Sequence, residues 1–143
     1  MGAVLKLNLG VIDLPHSESK DGLTTGDLAQ ILEAKYHPLE IFAELHKQEL
    51  ADDLADSVSG AIESLMMGAP PSLNPFGEGE AAITARIKDF FTNAEMDNLG
   101  YPGVPTKAAL DGVSHRFKRK RGPRRPSFVD TSQYMNSTTA WVE

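Results

Sequence analysis

The sequence contains no cysteine and only one tryptophan. Without cysteine the chain has no disulfide framework, no thiol nucleophile and no zinc site built from thiolates. It also has no apolar run approaching the roughly 18 residues that span a bilayer. The N-terminus lacks the basic and apolar regions of a secretory signal. We therefore expect a protein that is cytoplasmic or is assembled in the cytoplasm, with no membrane partner.

Motifs that would indicate catalysis or a bound cofactor are missing too. The sequence has no Walker loop, no Gly-x-Gly-x-x-Gly and no His-Glu-x-x-His, the signatures of nucleotide and catalytic zinc sites. Its four histidines are scattered, at His16, His37, His46 and His115. We expect no metal and no cofactor.

One hydrolase-like grouping is present near the C-terminal third of the chain. Asp111, Ser114 and His115 are close in sequence, but a catalytic triad needs partners that the fold positions. Asp111 and His115 are spaced i,i+4, so the simpler interpretation is a side-chain pair on a helix surface. We therefore predict that the protein is not an enzyme.

Charge is distributed unevenly along a chain whose formal net charge is −6. Residues 1–106 hold 6 Lys/Arg and 17 Asp/Glu, a net charge of −11, whereas residues 107–143 hold 8 and 3, a net charge of +5. This asymmetry predicts two surfaces with different partners, or one protomer whose acidic face meets the basic face of its neighbour.

Half of the basic residues form one ten-residue run, which we call the basic run. Its members are Arg116, Lys118, Arg119, Lys120, Arg121, Arg124 and Arg125. Two prolines place the run in a predicted basic loop over 116–126. These side chains can neutralise phosphates and bind nucleic acid without reading its sequence, or they can dock on an acidic protein. The sequence leaves both interpretations open.

Both ends of the chain have the pattern of β-strands. Leu5, Leu7, Leu9 and Val11 alternate with polar residues or glycine, which is the period of a half-buried strand. The closing TTAWVE is β-branched and aromatic, a composition that favours a strand. With several helices between them, the two strands are predicted to pair in a small antiparallel sheet, giving an α+β fold.

The predicted helices include one of unusual length. Thr24 and Asp27 resemble a capping box that opens a first helix, and Pro38 breaks that helix or begins a new one. From Leu39 to Met67, apolar residues recur at helical spacing. They predict an amphipathic helix of about 29 residues, or about 43 Å. A small core cannot cover such a helix, so we expect a subunit interface to hide the remainder.

We predict one structural domain over residues 1–143. The Pro/Gly-rich segment 69–80 is predicted to be an arm, and residues 81–100 return to helical spacing. Pro105 suits the first position of a short helix through Phe117. A turn or short helix capped by Asp130 or Thr131 is predicted to precede the last strand.

The segment RPSFVDTSQYMNSTTAWV, residues 125–142, resembles the terminal signature of small tailed-phage virion proteins from the neck and tail-completion group. The matching residues include Arg125, Val129, Asp130, Thr131, Ser137 and Trp141. Upstream, GVPTKAALDGVSHRF, residues 103–117, resembles the stretch that precedes this signature. Ser132 departs from the pattern, since glycine is usual there, and a serine is strained where the backbone needs positive φ.

The resemblance implies an α+β fold and a structural role. Proteins of this group form rings between the portal or connector and the tail tube, terminator or sheath, through which DNA passes. For this chain it implies a homo-oligomeric ring in the neck or tail of a virion assembled in the host cytoplasm, close to packaged DNA. Contacts between unlike surfaces can close such a ring. The alternative is a small accessory protein that binds nucleic acid through the basic run.

Overall fold

The computed structural model describes residues 4–15, 22–112, 123–128 and 133–143. Within these ranges the chain forms, in order, β1 (Leu7–Val11), α1 (Thr25–Tyr36), α2 (Pro38–Leu45), α3 (Lys47–Met66), α4 (Gly77–Thr92), a 3₁₀ helix (Met96–Asn98), α5 (Lys107–Asp111), α6 (Gln133–Ser137) and β2 (Thr138–Val142). None of the helices in these ranges is long and apolar enough to cross a membrane.

The two terminal strands pair in an antiparallel sheet, which confirms the predicted α+β fold. Leu7 of β1 is opposite Val142 of β2, and Val11 is opposite Thr138. Backbone hydrogen bonds extend the ladder to Lys6 and Glu143, with N···O distances of 3.0 and 2.9 Å. Because the strands come from opposite ends of the chain, their pairing closes the domain around the helices.

Helix α4 supplies the centre of the hydrophobic core. Its Ile83, Ile87 and Phe90 are fully buried. The Phe90 ring packs edge to face against Phe42 of α2 and against its neighbour Phe91, with centroids 5.4 Å apart in each pair. Such aromatic pairs stabilise a core beyond the area that they bury. The apolar spacing of α4 therefore orients it between α2 and the sheet.

Two polar side chains of α4 also hold β2 in place. Ala140 donates its N–H to Thr84 Oγ1 at 3.1 Å, and Val142 donates its N–H to Glu80 Oε1 at 2.8 Å. Amides at the edge of a sheet would otherwise lack partners. The last strand is thus fixed to β1 on one side and to α4 on the other.

The start of α1 is joined to the end of the β1 segment, and the predicted capping box is confirmed. Asp27 donates its N–H to Thr24 Oγ1 at 3.2 Å, and Thr24 donates its N–H to Asp27 Oδ2 at 3.1 Å. The buried Thr25 hydroxyl donates to the Ile12 carbonyl at 2.7 Å and accepts from the Leu14 N–H at 2.8 Å. This geometry fixes where the helix begins.

The single helix predicted over Leu39–Met67 is interrupted at His46, which separates α2 from α3. His46 has φ −105° and ψ 15°, outside the helical region. Its ring lies 5.1 Å from that of Phe42, and its Nε2 lies 3.2 Å from the Glu95 carboxylate. The Glu95 contact joins residues that are distant in the sequence, and no proline or glycine lies at the break to indicate it beforehand. Helix α3 still has 20 residues, or about 30 Å.

The arm predicted over 69–80 is shorter in the structure. Residues 69–74 are exposed, but α4 begins at Gly77. Gly79 is buried, and a Cβ there would lie 2.9 Å from the Asp53 carbonyl oxygen of α3. Glycine at position 79 therefore permits the close approach of α3 and α4 and does not mark a flexible connection.

Helix α5 begins later than Pro105, contrary to the prediction. It starts at Lys107, because Thr106 caps it by accepting the Ala109 N–H at 3.2 Å. The remainder of the predicted helix through Phe117 lies outside the described residues. So do Asp130 and Thr131, the predicted caps of α6.

Candidate functional site

Only some of the predicted site residues lie in the ranges that the structure describes. Arg124, Arg125, Ser137 and Trp141 are described. The residues outside the described ranges are Arg116, Lys118, Arg119, Lys120, Arg121, Val129, Asp130 and Thr131. The structure therefore shows how the two flanks of the basic run are held and how the last residues of the signature pack.

The segment that contains the basic run starts after Gly112 and ends at Arg125, and these two residues meet at one carbonyl group of α5. Gly112 donates its N–H to the Ala109 oxygen at 3.3 Å, and Arg125 donates its N–H to the same oxygen at 3.1 Å. Arg125 Nη1 also donates to the Ala108 oxygen at 3.3 Å. A cation is favourable at the C-terminal end of a helix. Arg125 therefore fixes the chain to α5, whereas Arg124 is exposed.

The residue two positions beyond Arg125 is held in the core. Ser127 donates its N–H to Asp97 Oδ2 at 3.2 Å, and its hydroxyl accepts the Thr106 N–H at 3.1 Å. Ser127 is only 3% exposed. Both flanks of the basic run are thus fixed to the body of the protein.

Ser137 and Trp141 of the signature have structural roles in the described part of the chain. The buried Ser137 hydroxyl donates to the Gln133 carbonyl at 2.7 Å, and the Ser137 carbonyl accepts the Ile12 N–H at 2.8 Å. The Trp141 ring lies over Gly10, where a Cβ would be 2.8 Å from it. These residues join the C-terminus to β1 rather than forming a pocket.

The hydrolase-like grouping is only partly described. Asp111 is the last residue of α5, while Ser114 and His115 lie outside the described ranges.

One group in the described ranges could hold a metal ion, namely Glu33, His37 and Glu40. Both Glu33 carboxylate oxygens already accept backbone N–H groups at the start of α2, from Leu39 and Glu40, each at 3.1 Å. His37 Nδ1 lies 3.2 Å from the Glu40 carboxylate. Glu33 of α1 therefore caps the N-terminal end of α2.

A row of exposed carboxylates lies along α3. Its members, which we call the acidic row, are Glu49, Asp52, Asp56 and Glu63. Within the described ranges no basic side chain forms a salt bridge with Asp52, Asp56 or Glu63. Glu49 lies 3.6 Å from His46 Nδ1. The row therefore presents negative charge at the surface of the described chain.

Helix α3 projects past the start of α4. The Ser57 hydroxyl donates to the Pro75 carbonyl at 2.8 Å, and beyond this point residues 62–74 are all exposed. We call residues 58–74 the projection. Its largest exposed apolar side chains are Ile62 (53%), Leu65 (50%), Met66 (82%), Met67 (88%) and Leu73 (105%). The sequence predicted an overlong amphipathic helix but not which end is left uncovered.

An apolar groove lies at the base of the projection. It has a volume of about 620 Å³ and is lined by Leu5, Leu7, Leu54, Ala55, Val58, Phe76 and Val142. Because the lining contains no charged side chain, the groove suits an apolar side chain rather than a polar ligand. The projection and the groove together give α3 an exposed apolar surface.

Comparison of the chain with protein-family models, with curated proteins and with solved structures found no match.

Proposed function

We propose that this protein is a non-enzymatic structural component of a tailed-phage virion, assembled as a ring of copies in the neck or at the tail-completion position. The observation that carries the assembly part is the projection, in which five large apolar side chains are at least half exposed. Burying apolar surface is favourable by roughly 25 cal/mol per Å². Contiguous exposed apolar surface is therefore typical of a protein interface.

The charge distribution supports contacts between unlike surfaces. The acidic row lies on α3, whereas the basic run lies between Gly112 and Arg125, both bonded to α5. A contact between two different surfaces repeats from copy to copy and closes a ring when the rotation allows it. One chain can thus supply both sides of every contact.

The virion position rests on the resemblance of residues 103–142. It implies partners among the portal or connector and the tail tube, terminator or sheath proteins, with packaged DNA passing nearby. In the described part of that segment, Ser137 and β2 are tied to β1 and α4. This firm attachment suits a terminus that must keep its place in an assembly.

Immunogold labelling of particles purified from the source lysate tests this proposal. Label at the head–tail junction is the expected result, whereas label at the far end of the tail would move the role to the baseplate. Absence of label from particles that expose both ends, with the protein left in the unassembled fraction, would overturn the virion role.

A second candidate is a nucleic-acid-binding accessory protein, favoured by the seven cations of the basic run. Neutralising Z phosphates gives a binding constant that falls with salt at a logarithmic slope of about −0.9Z for duplex DNA. Replacing Lys118, Arg119, Lys120 and Arg121 with Gln should then weaken binding and flatten the slope. The matched control replaces Lys6, Lys35, Lys47 and Lys88, four lysines that lie outside the run, with Gln. A binding constant that does not change with salt concentration would rule out this candidate.

A further inference from the structure

We infer that the exposed face of α3 is the docking site for the basic run of a second copy of the chain. This inference rests on the self-assembly in the proposed function, but not on its place in a virion. The face consists of the acidic row and of an adjoining strip formed by Ala55, Ser59, Ile62 and Met66.

Helical geometry places the strip and the acidic row side by side. Each residue advances about 100° around an α-helix, so Ala55, Ile62 and Met66 share one side and Asp52 and Asp56 share the next. The opposite side of α3 is occupied, because Asp53 pairs with Arg86 and the buried Ser57 bonds to the Pro75 carbonyl. The open side therefore combines apolar and negatively charged surface.

Most carboxylates of the acidic row have no salt-bridge partner in the described ranges. Asp52 and Asp56 are spaced i,i+4, where like charges destabilise a helix. Glu63 continues the row two turns further on, and neither Asp56 nor Glu63 has a salt-bridge partner in the described ranges. A cationic partner would relieve this repulsion and would also cover the neighbouring Ile62 and Met66.

The basic run has the matching composition. Its Arg side chains can bind carboxylates in a bidentate manner, and Val113 and Phe117 next to it are apolar. The flanks of the run are fixed at α5 through Gly112 and Arg125. The described ends of the run are attached to α5 and the acidic row lies on α3, so a contact between copies that joins the run to the α3 face is head to tail.

A charge-exchange experiment on the full chain tests the inference. The first variant reverses the α3 face with Asp52→Lys, Asp56→Lys and Glu63→Lys. The second reverses the basic run with Arg119→Glu, Lys120→Glu and Arg121→Glu. Sedimentation velocity over a hundredfold range of concentration measures self-association, and circular dichroism verifies the fold of each variant.

We expect the wild-type chain to self-associate and each variant alone to associate about tenfold more weakly or worse. An equimolar mixture should recover association, because every contact in an alternating assembly again joins opposite charges. A matched control with Glu44→Lys, Glu78→Lys and Asp89→Lys makes the same charge change at exposed positions off this face. It should associate like the wild type.

Three results would overturn the inference. They are a wild-type chain that stays monomeric throughout, a mixture that fails to recover association, and a control that weakens association as much as the first variant. If the basic run docks on α3 of its own chain, the wild-type chain stays monomeric, which is the first of these results. Recovery in the mixture together with absence of the protein from virions would keep this interface and reject the proposed function.

Discussion

Arg86 of α4 donates two hydrogen bonds to the carboxylate of Asp53 on α3, one from Nε and one from Nη2, the latter at 3.0 Å. The hydrogen bond to Asp53 raises the pKa of the Arg86 guanidinium above its usual value. The pair joins the two longest helices one turn before the projection begins. Asp53 therefore differs from the neighbouring carboxylates of the acidic row, because its charge is paired within the protein.

Replacing Arg86 with Met should lower the free energy of unfolding by about 1 kcal/mol, because a bidentate pair with good geometry is lost while the apolar stem is kept. Urea unfolding measures the change. Lys88→Met on the same helix is the control and should have little effect. Equal effects of the two substitutions would mean that the ion pair between Arg86 and Asp53 makes no specific contribution to the free energy of unfolding.

Two glycines on α3 and α4 should respond to alanine in opposite directions. At Gly79 a Cβ would lie 2.9 Å from the Asp53 carbonyl oxygen and 3.2 Å from Leu54 Cα, so Gly79→Ala should destabilise the fold by about 1–3 kcal/mol. At Gly60 nothing lies within 4 Å, and Gly60→Ala should stabilise α3 by about 1 kcal/mol. Thermal unfolding of both variants checks the signs. A stabilising Gly79→Ala would contradict the close approach of the helices.

Tyr134 carries a buried hydroxyl without a hydrogen-bond partner in the described ranges. Burial raises the pKa of this phenol well above its usual value, and the negative charge of Glu33 raises it further. Tyr134→Phe removes an unpaired polar group and keeps the ring that packs 5.5 Å from Phe91. We expect the free energy of unfolding to rise by about 1 kcal/mol. A loss of stability in chemical denaturation would show that the hydroxyl has a partner.

Asp13 should make the stability of the fold depend on pH under acidic conditions. A hydrogen bond from Thr24 and one from the Gly26 N–H, at 3.0 Å, lower the pKa of this carboxyl below 3.8. A lowered folded-state pKa gives stability that is complete above the unfolded value of 3.8 and is lost as the pH falls through the folded value. Asp13→Asn should therefore reduce stability at neutral pH and flatten the decline below pH 4. Denaturation profiles of wild type and variant that stay parallel down to pH 2 would contradict this.

The sequence alone was sufficient for the α+β fold, the terminal strands and the start of α1. These features depend on local patterns, namely period-two alternation before Val11, β-branched residues after Ser137, and the Thr24–Asp27 capping box. The basic run and the charge asymmetry also come directly from residue identities. Each of these signals is a property of neighbours in the chain, so no knowledge of distant contacts was needed.

The break at His46, the role of Gly79 and the fixing of β2 by Glu80 and Thr84 were decided only by the tertiary structure. In each case the partner is far away in sequence, so the residue type does not reveal its use. The same holds for the acidic row, since spacing cannot distinguish a carboxylate paired with Arg86 from one that faces solvent. Composition determined which charges and apolar groups this protein has, and packing between α3 and α4 decided which of those on α3 are left exposed.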